Sequence, residues 1–424
     1  MKNFKDSGIE WLGEIPEHWE VVKINKIVTF VNGYAFENFD LNPTFEIPVI
    51  RIGDIQKEKI LYDNCLKTKE KEKLKQFLIS NNDILIALSG ATTGKIAFCD
   101  TDNKAYINQR VAIVRSKLKL VKYYFLTRGF SLLIELACNG SAQPNISTKE
   151  IGEFKTPLPP LKEQEQIANF LDEKCEKIKN FIEKKEKLIS LLKEQKQALI
   201  NETITKGLDK NVNFKDSGIE WLGEIPQHWG VVRLGLILKT GSGTTPDSGN
   251  DKYYKEGKIA WINSGDLNDG FLKDSKRKIT QDALYDYPTL RIFDKNSLII
   301  AMYGATIGKT AILKINACVN QACCVLEKSL WYNNFYLFFW FNGYKKELIS
   351  MGSGGGQPNI SQDIIKNLKI PLPPLKEQEQ IANFLDEKCE KIDLLIEKTE
   401  KQIKLIKEYK TTLINQAVCG RIDL

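Results

Sequence analysis

Two stretches of the chain hold glycines and a lysine close to the spacing of a phosphate-binding loop: SGATTGK at 89–95 and YGATIGK at 303–309. Such a loop cradles nucleotide phosphates in its backbone N–H groups and needs four residues between its first glycine and the Gly-Lys pair. Only three residues separate Gly90 from Gly94 and Gly304 from Gly308, and Ile96 stands where a magnesium-binding hydroxyl belongs. Nucleotide binding is set aside. The residues before each loop, NDILIALSG (82–90) and NSLIIAMYG (296–304), predict buried strands that end at a glycine turn. Lys95 and Lys309 then either close a tight strand-to-strand turn or touch a phosphate backbone.

Other chemistries are no better supplied. The nearest approach to the Asn/Asp-Pro-Pro-Tyr/Phe tetrapeptide of a DNA adenine methyltransferase is NPTF at 42–45, with Thr44 in the place of the second proline. No FxGxG follows a strand, and a lone GxG at Gly241 and Gly243 is weak support for a cofactor. A nuclease core of clustered carboxylates and a lysine is not evident. The two histidines, His18 and His228, lie in matching PEHW and PQHW contexts, a poor basis for a metal site or a triad. Nine cysteines without a CxxC pair argue against disulfides and structural zinc, and for a reducing cytosol. No run of apolar residues is long enough to span a bilayer, and MKNFKDSGIE lacks a signal-peptide layout. A net charge of +7 on 424 residues is compatible with a polyanionic partner but does not require one.

The chain is written twice. Residues 3–19 (NFKDSGIEWLGEIPEHW) return at 213–229 with one change, Glu17 to Gln227, and 157–178 (PLPPLKEQEQIANFLDEKCEKI) return unchanged at 371–392. A repeat of about half the chain means duplicated domains. Between these blocks the halves diverge, except for small islands such as IRIGDIQ against INSGDLN, the two glycine turns, and QPNIS at 143–147 and 357–361. Constant segments around variable ones suggest a shared interface carrying two modules that read different things. The limits drawn are 1–156 and 207–370 for the modules, with long helical segments at 157–206 and 371–424.

From Leu161 to Lys206 there is no glycine or proline. Leu171, Cys175, Ile178, Ile182, Lys185, Ile189, Leu192, Lys196 and Leu199 step by alternating fours and threes, the spacing of a coiled-coil seam. Leu385, Cys389, Ile392, Ile396, Thr399, Ile403, Ile406, Lys410 and Leu413 repeat that register. Pro159, Pro160, Pro373 and Pro374 mark the helix starts, and Gly207 and Gly420 their ends. At about 1.5 Å per residue each rod is roughly 65 Å long. The matched registers predict an antiparallel pairing with pseudo-twofold symmetry; packing of each helix on its own domain is the alternative. INQAVCGRIDL at 414–424 resembles INETITKGLDK at 200–210, so the order of segments is cyclic. The fold class is α+β.

The SGIEWLGEIPxHW opening, the QPNIS turn and PLPPLKEQEQIA, in that order in both copies, with KTGSGTTPDS…IAWINSGDL in the second, resemble the specificity subunit of type I restriction–modification enzymes. The likeness covers nearly the whole chain. It implies a chain without an active site, whose two target-recognition domains each read one half of a split double-stranded DNA target. It also implies that the helical regions bind two methyltransferase subunits and set the half-site spacing. Restriction subunits would join where they are present. S-adenosylmethionine, ATP and magnesium would be used by those partners, with no cofactor in this chain, and the complex would be cytoplasmic. A fused methyltransferase doing its own chemistry and a coiled-coil scaffold unrelated to DNA are the other readings.

Arginine and lysine pair with guanine, and asparagine and glutamine with adenine, in the major groove. INQRVAIV offers Asn108, Gln109 and Arg110 just before an apolar strand, and VNQACCVL offers Asn320 and Gln321, with Ala322 in place of the arginine. These amides either read bases or hold a neighbouring loop. Gln143 and Asn145, with Gln357 and Asn359, lie in the two QPNIS turns, where Ser147 and Glu150 also form a capping-box pattern. Lys276 and Arg277 of KDSKRK are expected at the DNA backbone. The helix starts offer Lys162, Glu163, Gln166, Lys376, Glu377 and Gln380 to the methyltransferase.

Overall fold

The structure, a computed structural model, describes residues 3–56, 58–99, 103–138, 143–352 and 359–422. The chain divides into two compact units, Met1–Lys185 with Lys401–Leu424, and Glu186–Glu400. Each unit therefore holds one variable module, the opening of the helix that follows it, and the closing turns of the other helix.

At the centre of the first unit lies an antiparallel sheet in the order Ile96–Phe98, Ile84–Ala87, Val111–Arg115 and Thr29–Asn32. Successive side chains of a strand point to opposite faces. Ile84, Ile86 and Leu88 face one core with Ala112 and Val114, while Leu85 and Ala87 face another with Val111 and Ile113. Because both faces are covered, the strand reads as an unbroken apolar run. A smaller sheet joins Tyr106–Ile107, Ile47–Ile50 and Leu66–Thr68.

The second unit repeats the plan. Its sheet runs Thr240–Gly241, Cys323–Leu326, Leu298–Ala301 and Thr310–Leu313, with Gly270–Leu272 added in parallel at the far edge. Ala301 lies opposite Cys323 as Ala87 lies opposite Val111, so the register is kept although the side chains changed.

The long helices are Leu161–Lys206 and Leu375–Val418. Gly207 and Gly420 follow their last turns with φ of 72° and 71°, left-handed values that cost glycine least. Ahead of the helices, Lys155–Leu158 and Lys369–Leu372 are strands, paired antiparallel with Glu20–Lys23 and Gly230–Arg233. The helical limits drawn at 157 and 371 thus fall inside strands. Pro159, Pro160, Pro373 and Pro374 keep the residues before them extended.

Within the first unit Ile167, Leu171 and Ile178 of the first long helix share a core with Leu413, Ile414, Ala417 and Val418 of the second. Within the second unit Ile381, Leu385 and Cys389 share one with Ile200 and Ile204. There, Lys196 Nζ lies 2.6 Å from Asp393, while Gly207, further along, lies against Glu377, so the two segments run antiparallel. The helices do not pack on their own modules alone. Every seam position named from the 3–4 spacing is buried or half-buried. The polar interruptions are accommodated locally: Thr399 donates its hydroxyl to the Leu395 carbonyl at 2.7 Å, and Lys196 reaches Asp393.

Candidate nucleic-acid interface

In the first unit three turns distant in sequence meet at the end of strand Ile84–Ala87. The Leu88 N–H donates to the Arg110 carbonyl at 2.9 Å, and the Ile146 N–H donates to the Leu88 carbonyl at 2.9 Å. The Gly90 N–H donates to the Pro144 carbonyl at 2.8 Å. These bonds draw the glycine turn, the NQR turn and the QPNIS turn around an open cleft of about 580 Å³, lined among others by Ser89, Gln109, Arg110, Gln143, Asn145 and Glu150. Four of the expected DNA-contacting residues thus converge on one cleft.

The NQR turn is fixed by its main chain. Asn108 N–H donates to Ile50 O at 2.9 Å, Gln109 N–H to Tyr34 O at 2.9 Å, and Val111 N–H to Asn108 O at 2.8 Å. Gly33 passes so close that a Cβ placed on it would lie 2.1 Å from the Asn108 carbonyl oxygen. On this fixed turn the side chains of Gln109 and Arg110 are exposed and make no hydrogen bond to a described residue, while Asn108 is half-buried. Gln143 and Asn145 are exposed as well. Lys95 is exposed at the foot of the hairpin, outside the cleft lining.

Ser147 and Glu150 form the expected capping box on the short helix Thr148–Glu153. Ser147 donates its hydroxyl and its N–H to the Glu150 carboxylate, at 2.6 and 2.8 Å, and this holds the carboxyl below the usual range. A carboxylate that stays ionised therefore lines the same cleft as the Arg110 guanidinium.

The second unit builds the same junction. Met302 N–H donates to Ala322 O at 2.8 Å, and Ile360 N–H donates to Met302 O at 2.7 Å. Its side chains are otherwise disposed. Asn320 Oδ1 accepts the Ala322 N–H at 3.1 Å, and Gln321 Oε1 accepts the Thr245 hydroxyl at 2.5 Å. Here the amides hold neighbouring backbone and side chain. A Cβ on Gly243 would lie 1.7 Å from the Val319 carbonyl oxygen, so this glycine of the GxG serves a close backbone approach, like Gly33. Lys309 is half-buried and Asn359 exposed, while Gln357 lies outside the described residues. Lys276 and Arg277 are exposed, and the Lys276 ammonium stands 3.9 Å from Asp266.

The family described as "Type I restriction modification DNA specificity domain" matches the sequence twice, over residues 16–193 and 226–405. The chain belongs to this family. It is 29% identical over 437 residues to the protein assigned as the MjaX specificity subunit of a type I restriction enzyme in Methanocaldococcus jannaschii, covering 99% of this chain and 97% of that one. The MjaVIII specificity subunit of the same organism is 26% identical, over 96% of this chain and 94% of its own length. A solved chain from work on complex assembly and conformational transition of the type I R-M system superposes with a TM-score of 0.72 at 18% identity, covering 96% and 99%. The HsdS subunit from Thermoanaerobacter tengcongensis gives 0.52 at 16% identity, covering 96% and 98%. These last two are likenesses of fold.

In this specificity-family chain the constant blocks dock on each other inside each unit. Glu163 Oε1 lies 2.7 Å from His18 Nε2, and Glu163 Oε2 accepts the Trp19 indole N–H at 2.9 Å. Glu377 Oε2 lies 2.9 Å from His228 Nε2, but the buried Trp229 indole nitrogen has no hydrogen-bond partner among the described residues. Gln164 and Gln378 are buried and donate to Pro159 O at 2.6 Å and Pro373 O at 2.8 Å. Of the helix-start residues expected to meet a partner, Lys162, Gln166, Lys376 and Gln380 are exposed, whereas the carboxylates of Glu163 and Glu377 already serve these internal contacts. The sequence left both histidines without a role; their recurrence beside an identical tryptophan was the available signal. Among the described residues no group of metal-ligating side chains gathers, and no helix is long and apolar enough to cross a membrane.

Proposed function

We propose that the chain is the DNA sequence-recognition subunit of a type I restriction–modification complex, and that each unit reads one half of a bipartite double-stranded target. The observation that carries this reading is the junction built twice: the same main-chain bonds at Leu88 and Met302 present different side chains. Gln109, Arg110, Gln143 and Asn145, with Asn108 behind them, are assigned to base edges in the first unit, and Asn320, Gln321, Gln357 and Asn359 to the second. Lys95, Lys276, Arg277 and Lys309 are assigned to phosphates, contacts that position a protein without reading sequence.

A specificity subunit is the non-catalytic part of its enzyme. Two methyltransferase subunits would bind at the two helix starts, through Lys162, Gln166, Lys376 and Gln380 with the outer edges of Glu163 and Glu377. S-adenosylmethionine, ATP and magnesium belong to those and the restriction subunits, and the complex works in the cytoplasm, where the chromosome lies. The long helices set the gap between half-sites: one heptad added to both, after Lys185 and Thr399, is expected to lengthen the preferred spacer by about three base pairs. Sequencing the methylation pattern of a host that expresses the chain with its methyltransferase tests the reading. A split motif is expected; methylation without sequence preference would overturn it.

A further inference from the structure

We infer that the half-site read by the first unit contains a guanine recognised by Arg110, and that the second unit has no equivalent guanine contact at its corresponding turn. This rests on the DNA-reading assignment above and deepens it.

Three observations point to a base edge. The turn is held by four main-chain bonds, through Asn108 N–H, Gln109 N–H, Val111 N–H and the Arg110 carbonyl, so the guanidinium is projected from a fixed support. Recognition from a fixed support loses little conformational freedom on binding. Second, the Arg110 side chain is exposed and has no carboxylate or carbonyl partner among the described residues, although many lysines and arginines of this chain are paired. Third, the cleft lining beside it holds amides, hydroxyls and the ionised Glu150 carboxylate, and no lysine among the described residues.

The third observation separates two roles open to an exposed arginine. A phosphate brought into this cleft would meet a fixed negative charge at Glu150. A guanine edge would offer O6 and N7 to the two-pronged guanidinium, the pairing arginine makes most often with a base. Amide side chains, donors and acceptors at once, can serve the adjoining pairs. No second cation among the described residues lines the cleft to help neutralise a phosphate there. The matching turn of the second unit carries Ala322, and its Gln321 and Asn320 oxygens are committed to Thr245 and to the Ala322 N–H. Its turn has no cation to offer.

The experiment compares methylation motifs and duplex binding for complexes of the methyltransferase with the wild-type chain, Arg110→Ala and Arg110→Lys. The wild type is expected to prefer guanine at one position of one half-site by about tenfold or more, and to lose that preference when 7-deazaguanine removes the N7 acceptor. Arg110→Ala is expected to accept any base at that position within about twofold, with every other position unchanged. Arg110→Lys, which keeps the charge but not the fork, should retain only part of the preference. A uniform loss of affinity with an unaltered motif and a shallower salt dependence would mean a phosphate contact and overturn the inference. So would a changed base other than guanine. Absence of any split motif for the wild type would instead defeat the DNA-reading assignment itself.

Discussion

The NQ turns of the two units hang on equivalent main-chain bonds and end in opposite side-chain states. In the first, Gln109 and Arg110 are exposed on a tethered turn and line an open cleft. In the second, Gln321 and Asn320 are tied to Thr245 and to the Ala322 N–H. Main-chain bonds do not depend on side-chain identity, so the frame survives while the residues it displays are exchanged. Duplicated modules can then diverge in what they read without loss of fold. Stability should accordingly reside in the shared frame and be nearly equal in the two units, and specificity in the turns.

The largest effect expected concerns that frame. Leu171 and Leu385, equivalent positions of the two helices, are both fully buried. Leu171→Ala and Leu385→Ala should each cost about 2–5 kcal/mol and agree with one another within about 1 kcal/mol, measured by urea unfolding with tryptophan fluorescence. Widely unequal losses would break the equivalence of the two cores.

A smaller effect sharpens the comparison, because one anchor is not equal in the copies. Glu163 serves both His18 and Trp19, whereas Glu377 serves His228 and the Trp229 indole nitrogen finds no partner among the described residues. Glu163→Ala should therefore cost about 1–3 kcal/mol and Glu377→Ala about 1 kcal/mol, since a buried donor left unpaired carries its desolvation cost. Equal losses would show that the indole bond contributes nothing.

The smallest effect is at the QPNIS turns. Ser147 and Glu150 cap each other's backbone, while Ser361 makes a single bond to the Ile364 N–H. Ser147→Ala is expected to cost about 1 kcal/mol and Ser361→Ala roughly half that. Hydrogen exchange in the short helices Thr148–Glu153 and Gln362–Asn367 reads the difference.

What could be read in the sequence was whatever depends on nearby residues. The 3–4 spacing named the seam from Leu171 to Leu413, the apolar runs named strands Ile84–Ala87 and Leu298–Ala301, and a serine with a glutamate three residues on named the cap. The cyclic order read from 414–424 and 200–210 fits the division of the chain, in which each compact unit holds the closing turns of the other helix. Hidden features needed a partner far away in the chain. His18 gains its role from Glu163, and the Gln321 amide oxygen is engaged by Thr245, a residue in the divergent stretch with no repeat to mark it. Nor could spacing tell that Gln109, Arg110, Gln143 and Asn145 share a cleft, since bonds across long sequence separations, at Leu88, Gly90 and the Thr93 hydroxyl, bring those turns together.

The central claim is that two alike frames read two different half-sites independently. Its most direct test is to exchange residues 28–150 for the matching segment of a family member with a different target and to sequence the resulting methylation motif. The account predicts that one half-site takes on the donor's sequence while the other half-site and the spacer stay as they were. A change in both half-sites, or in neither, from a folded and methylation-competent complex would contradict it.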